Sequence, residues 1–226
     1  LRLFNTGKRE EERVYNELRS IGVELHTEEG GQQITCRDDT GHFGGSLDGV
    51  GLGFPEAPKT WAVLEIKTFN GASFAKVKAK GVKAEKPQHY AQMQTYMGLM
   101  KLDRALYFAV NKDTDELYTE WVHADKEAQL NALARARRII NSISPPEKTS
   151  DDPANWQCKM CDMHKLCHQA EPAEANCRTC CHSTPVGDGK WRCNEYAKDL
   201  TAEDQRKGCD SHIFIPALIH AKPIDG

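Results

Sequence analysis

The residues with the clearest chemical potential are two carboxylates and an ammonium: Asp48 in Gly-Gly-Ser-Leu-Asp-Gly-Val, then Glu65 and Lys67 in Val-Leu-Glu-Ile-Lys-Thr. Glu65 and Lys67 are two apart, so in a strand their side chains share one face while Ile66 points to the other. Two carboxylates with the Ile66 backbone carbonyl make a hard oxygen set suited to Mg2+ or Mn2+. Such an ion polarises a phosphoryl oxygen and lowers the pKa of an attacking water, and a nearby ammonium positions that water or offsets charge developing on phosphate. The expected chemistry is phosphodiester hydrolysis. A salt bridge across neighbouring strands is the plainer reading of the same residues. The apolar flank Trp61-Ala-Val-Leu64 and the glycine-rich approach to Asp48 favour ion binding.

These side chains need strands to hold them and helices to cover the strands. Residues 8–20 place Val14 and Leu18, with Ile21, along one face, which predicts an amphipathic helix ended by Gly22. Residues 32–38 and 42–54 read as strands joined at Asp39-Thr40-Gly41, with Asp48 in the second, and residues 60–69 as a third strand. Gly44, Gly45, Gly49, Gly51 and Gly53 permit bending and close approach in the second strand. A helix over 87–102 carries Gln88, Gln92 and Tyr96 at i, i+4 and i+8. Strands at 104–111 and 116–123 follow, then an alanine-rich helix at 125–143 with Leu130, Leu133 and Ile140 toward the core. The pattern predicts an α/β domain over 1–150, ended by a Pro/Ser/Asp-rich hinge from Pro145 to Pro153.

Asp48, the intervening residues and Glu65-Ile66-Lys67 resemble the signature of the PD-(D/E)xK nuclease superfamily, with Leu47 where that pattern has proline. Gln92-Met-Gln-Thr-Tyr96 resembles the Gln-x-x-x-Tyr element of its RecB-like members, which include phage recombination exonucleases. The resemblance implies a restriction-endonuclease-like central mixed sheet flanked by helices, and DNA as substrate. It gives Asp48, Glu65 and Lys67 the catalytic roles and Gln92 and Tyr96 a place against DNA near the site. It also implies processing of DNA ends in recombination, repair or phage DNA metabolism, with a recombination or replication protein as a further partner. RecB-like members often supply a histidine from an early helix, which this helix lacks; Glu11 resembles the helix glutamate of other PD-(D/E)xK enzymes and is favoured over His42 as an additional metal ligand. A structure-specific endonuclease and a catalytically inactive zinc-containing adaptor remain the alternatives.

Residues 67–101 hold seven lysines against the single acid Glu85, a local balance of +6 in a chain of net charge −3. The portion from Phe74 to Lys86 reads as a mobile loop that grips phosphates without reading bases.

Eight of the nine cysteines fall between Cys158 and Cys209, behind a long segment that needs no disulfides, so metal binding is the expectation. Cys158, Cys161 and Cys167 form a first cluster over 151–170, expected to bind Zn2+ with His164 or His168. Their run resembles the three-cysteine ending of iron-sulfur RecB-like nucleases, which implies a 4Fe-4S cluster as the other reading, with Cys36 the visible counterpart of a fourth ligand. A second module over 171–226 offers Cys177, Cys180, Cys193 and Cys209 to Zn2+, with His182 or His212 able to replace one member. So small a module needs metal in place of a large core. Composition is that of a globular protein, and no segment reads as a membrane span or a cleavable signal peptide. A cytoplasmic location is expected. The chain starts at Leu1 rather than Met, so a short native segment is expected to precede it.

Overall fold

The computed structural model describes residues 2–219, with side chains from residue 5 onward. The described chain forms two compact units, one from residues 2–39 and 43–134, the other from residues 40–42 and 135–219.

The first unit opens with α1 (Arg2–Ser20), followed by the short strands β1 (Glu24–His26), β2 (Glu28–Glu29), β3 (Gln32–Gln33), β4 (Thr35–Arg37), β5 (Gly44–Ser46) and β6 (Gly49–Leu52). Then come β7 (Ala62–Phe69), α2 (Gly71–Lys80), α3 (Val82–Glu85), α4 (Pro87–Met100), β8 (Arg104–Asn111), β9 (Leu117–His123) and α5 (Lys126–Ile140). Five strands make one mixed sheet in the order β1-β6-β7-β8-β9, flanked by helices. Only β7 and β8 run parallel, and a parallel pair needs a crossover, here α2, α3 and α4.

Strand β7 is covered on both faces. Its even residues Ala62, Leu64 and Ile66 pack with Val14 and Leu18 of α1 and with Phe54. Val63 faces the other core, among Phe74, Val77, Met93 and Met97. Two buried faces explain why the segment reads as an unbroken apolar run rather than an alternating one.

Several expectations need correction. The segment read as a mobile lysine loop is instead α2 and α3. Asn70 caps α2 by accepting from the Ser73 N–H, and Phe74 and Val77 are buried. Gly81 takes the positive φ of 78° that separates the two helices, and the Glu120 carboxylate accepts from the Val82 N–H at 2.7 Å. Three of its lysines are already paired, Lys78 with Glu116, Lys80 with Glu85 and Lys83 with Asp125. The strand expected over 42–54 is broken between β5 and β6, and Asp48 sits in that break. Ile21 and Leu130, both expected on apolar faces, are exposed, while α5 buries Ala136 and Ile140.

Gly44 shows why the approach to Asp48 is glycine-rich. It pairs with Arg37 across β4 and β5, and a Cβ there would lie 2.0 Å from the Cys36 carbonyl oxygen. Gly44→Ala is therefore expected to cost about 1–3 kcal/mol, because backbone rather than a side-chain tip must give way. Urea unfolding checks this, and an unchanged midpoint would contradict it.

The second unit contains the end of α5, two short helices, α6 (Trp156–Lys159) and α7 (His164–His168), and an antiparallel sheet of β10 (Ser183–Gly187), β11 (Lys190–Cys193) and β12 (Lys198–Leu200). Its apolar centre is small: Trp191, Cys193 and Leu200, with Cys177 against them. The Trp191 indole N–H donates to the Ile140 carbonyl at 3.1 Å. Among the described residues, no helix is long and apolar enough to cross a membrane.

Candidate active site

The centre of the first unit is organised by a change in strand pairing. Strands β6 and β7 pair antiparallel up to Gly49 opposite Leu64, so Asp48 would stand opposite Glu65 if the ladder continued. It does not continue. The Asp48 carboxylate instead accepts from the Ile66 N–H at 2.7 Å, and its own carbonyl accepts from the Tyr15 hydroxyl at 2.7 Å. Asp48 is thereby fixed at the end of β6, on a backbone freed from sheet pairing.

Glu65 is fully buried in the middle of β7, opposite Tyr107 of β8. One of its oxygens, Oε1, is in ion-pair contact with Lys67 Nζ. Among the described residues, neither oxygen has a hydrogen bond of sound geometry. Lys67 Nζ also stands 4.0 Å from Asp48 Oδ2. Burying a carboxylate without hydrogen bonds is costly, so such a group marks a place where stability has been sacrificed.

The electrostatics follow from this burial. Desolvation, opposed by Lys67 and reinforced by Asp48, pushes the Glu65 carboxyl up to about 7. Burial also raises Asp48, against the pull of Lys67 and the Ile66 N–H. Lys67 would be lowered by its own burial, but Glu65 and Asp48 outweigh that and raise it. Glu11 of α1 is raised by burial and then by Asp48, and lowered by Lys67, so it belongs to the same charge cluster. Asp48 raises both Glu65 and Glu11, and Lys67 opposes the shift of all three carboxylates, with Lys8 also lowering Glu11.

Glu11, Ile66 and Lys67 line one cleft of ≈ 560 Å³ with Gly7, Lys8, Gln33 and Thr68. The donor set fits a hard divalent cation: carboxylate oxygens, one of them buried and unpartnered, beside an open cleft. As the side chains stand, no group of three or more His, Cys, Asp and Glu among the described residues is arranged to hold a metal ion. At this site the Lys67 ammonium contacts Glu65 and stands 4.0 Å from Asp48.

Helix α4 brings the glutamine and tyrosine to the same region. Gln92 Nε2 donates to the Tyr96 hydroxyl at 3.0 Å, and a Cβ on Gly45 would lie 2.6 Å from that hydroxyl. Tyr96 is raised chiefly by burial, with Gln92 opposing and Glu65 and Asp48 adding to the shift. Gln88 is exposed and does not join them. At 3.6 residues per turn, positions i and i+8 diverge by about 80°, whereas i and i+7 differ by only about 20°. That arithmetic places His89, rather than Gln88, on the face of Tyr96. His89 was not anticipated from the sequence, although this spacing was the signal for it. Its Nδ1 is 2.8 Å from the Tyr107 hydroxyl, its ring stacks on Phe69, and burial, with Lys67 and Lys86, pushes its pKa down to about 4.

The remaining expected residues lie elsewhere. His42 groups with the second unit, its Nε2 3.1 Å from the Gly189 carbonyl, and not with Asp48. Cys36 is buried in the first unit's core, in the cluster that holds Tyr96. In the second unit Cys158 is buried, Cys167 half-buried and Cys161 exposed, and the His164 and His168 rings are 5.1 Å apart. Cys177, Cys180, His182, Cys193, Cys209 and His212 all line one small void.

No family model matches the chain, and no curated protein matches it. Among solved structures it is similar to SSO0001, at 16% identity and a TM-score of 0.42 over 72% of this chain and 68% of that one. It is also similar to an alkaline exonuclease, LHK-Exo, from Laribacter hongkongensis, at 18% identity and a TM-score of 0.41 over 59% of this chain and 68% of that one. Likeness at this level carries no argument about function, which rests on the residues themselves.

Proposed function

We propose that this chain is a Mg2+- or Mn2+-dependent deoxyribonuclease of the PD-(D/E)xK type, with a restriction-endonuclease-like core, that removes nucleotides from DNA ends. The observation that carries the reading is Glu65: a fully buried carboxylate with an unpartnered oxygen, beside Asp48 and in contact with Lys67. A purely structural ion pair is normally completed by hydrogen bonds to both oxygens.

In this reading Asp48, Glu65 and the Ile66 carbonyl hold the ion, with Glu11 as the further carboxylate on the cleft. The bound ion supplies Lewis-acid activation of water and of the scissile phosphate. The chain's own residues do the rest. The Ile66 N–H fixes the Asp48 carboxylate, and the Tyr15 hydroxyl fixes its backbone. Lys67, with its ammonium at the cleft, would serve the attacking water or a phosphate oxygen. Gln92, whose side chain donates to the hydroxyl of the buried Tyr96, contacts the DNA strand beside the site, and the exposed Lys76 of α2 adds affinity without sequence preference.

Cleavage of end-labelled linear and closed-circular duplexes with Mg2+ or Mn2+ tests the proposal. Metal-dependent loss of the linear substrate with the circle intact is the expected result. Equal cutting of both would establish an endonuclease, and cutting of neither would remove the nuclease reading.

The same assay has a pH dependence. Because Glu65 takes up its proton below about 7, cleavage at limiting metal is expected to fall as pH drops through that value. Raising Mg2+ should move the fall to lower pH, since the ion competes with the proton. A profile independent of metal concentration would contradict this.

A further inference from the structure

The second unit carries a metal-site architecture that the active site does not use. Three backbone turns converge on one void. Cys177 and Cys180 flank a tight turn locked by Asn176, whose side chain accepts from the Arg178 and Thr179 N–H groups while Thr179 Oγ1 accepts from the Asn176 N–H. Cys193 ends β11, paired with Ser183 on one side and Lys198 on the other. Cys209 opens a turn closed by the His212 N–H donating to its carbonyl at 3.0 Å. The Cys177 N–H donates to the Lys207 carbonyl at 3.1 Å, tying the first turn to the third.

The void between them is ≈ 10 Å³, about the volume of one probe sphere and so room for a single water or ion. We infer that Cys177, Cys180, Cys193 and Cys209 bind one structural Zn2+ as four thiolates, to the exclusion of Cys181, His182 and His212. Cys181 is absent from the void's lining, and its N–H donates to the Ile213 carbonyl. His212 reaches the void, but its Nε2 is 3.1 Å from Thr179 Oγ1 and its ring packs edge-on to Phe214. His182 directs Nδ1 toward Glu195, 3.8 Å away. All four cysteines are free thiols that line the void, with the Ser183 hydroxyl beside Cys177.

The energetics point the same way. A unit whose buried apolar centre is Trp191, Cys193 and Leu200 has too little burial to offset the ordering of its loops. A tetrahedral Zn2+ supplies that deficit, since metal binding free energy becomes folding free energy. All four cysteines are without disulfides and face the one void. A divalent cation held by these four sulfurs would replace their thiol protons, which pass to solvent.

The test uses the full chain with Cys158, Cys161 and Cys167 changed to serine, which removes the first cluster from the count. Elemental analysis is expected to find about one zinc per chain in this background. It should find the same after Cys181→Ser or His212→Ala, and none after Cys193→Ser. Because Cys193→Ser can also fail to fold, Co2+ is loaded into the otherwise unaltered background. The intense visible bands of tetrahedral cobalt with four thiolates are expected, unchanged by Cys181→Ser or His212→Ala. Zinc retained in Cys193→Ser, a cobalt spectrum altered by His212→Ala, or a disulfide among the four cysteines by mass spectrometry would each overturn the assignment.

Discussion

Replacing Lys67 with alanine is expected to slow metal-dependent DNA cleavage by about 10²- to 10³-fold, the scale seen when one preorganised charge-stabilising group is removed from an active site. DNA affinity should change little, because Lys8 also lines the cleft and Lys76 is exposed on α2. The geometry separates this from a structural role. Lys67 contacts Glu65, stands 4.0 Å from Asp48, and lines the cleft with Ile66 and Thr68, so it reaches both the carboxylates and an incoming phosphate. If its only task were to neutralise Glu65, its removal would lower stability and cleavage together. Glu65 escapes most of that penalty by taking a proton, since its carboxyl already lies at about 7 with Lys67 present. Single-turnover rates on a labelled linear duplex, with thermal midpoints for both proteins, check this. Cleavage within a few-fold of wild type would contradict it.

Glu65→Gln is expected to abolish cleavage and yet yield the more stable metal-free protein at pH 8. The sign follows from linkage. Glu65 rises from 4.5 unfolded to about 7 folded, so between those values the folded state binds more protons, and stability falls as pH increases through the window. The full loss is about 3 kcal/mol, from the scale of 1.36 kcal/mol per pKa unit. Asp48 is also raised and contributes in the same direction, so the glutamine variant keeps a smaller slope rather than none. Lys67 is raised from 10.5, so its contribution is fully present below 10.5 and is lost only as pH rises above it, outside this window. Urea unfolding in EDTA at pH 5 and pH 8 measures the difference. Parallel behaviour of the two proteins would show that Glu65 bears no such penalty.

What the sequence made legible was the part governed by strand periodicity. The two-residue spacing of Glu65 and Lys67, and the apolar run before them, are local properties of one strand, and β7 keeps them. Strand β8, at Arg104–Asn111, is likewise read from its own composition. Asp48 was legible as a residue but not as a conformation. Its place in a break between β5 and β6 comes from its side chain taking the Ile66 N–H, a tertiary event that no local pattern encodes. The lysine segment misled for a related reason. Charge suggested a loop, while Asn70, the buried Phe74 and Val77, and the distant Glu120 cap made helices of it. His89 was hidden by choosing an i+8 row over an i+7 row on α4. The cysteines could be counted from sequence, but choosing four among the available thiols and imidazoles required the hydrogen bond at His212 and the lining of the void, which leaves Cys181 out.

The central claim is that Asp48 and Glu65 hold a divalent ion for phosphodiester hydrolysis. Its most direct measurement is the Mn2+ dependence of cleavage of a labelled linear duplex by wild type and by Asp48→Asn, a variant whose amide oxygen can still accept from the Ile66 N–H. The account predicts saturable Mn2+-dependent cleavage in wild type and a loss of at least about 10²-fold in Asp48→Asn at equal thermal midpoint. Cleavage by Asp48→Asn with the wild-type Mn2+ dependence would contradict it.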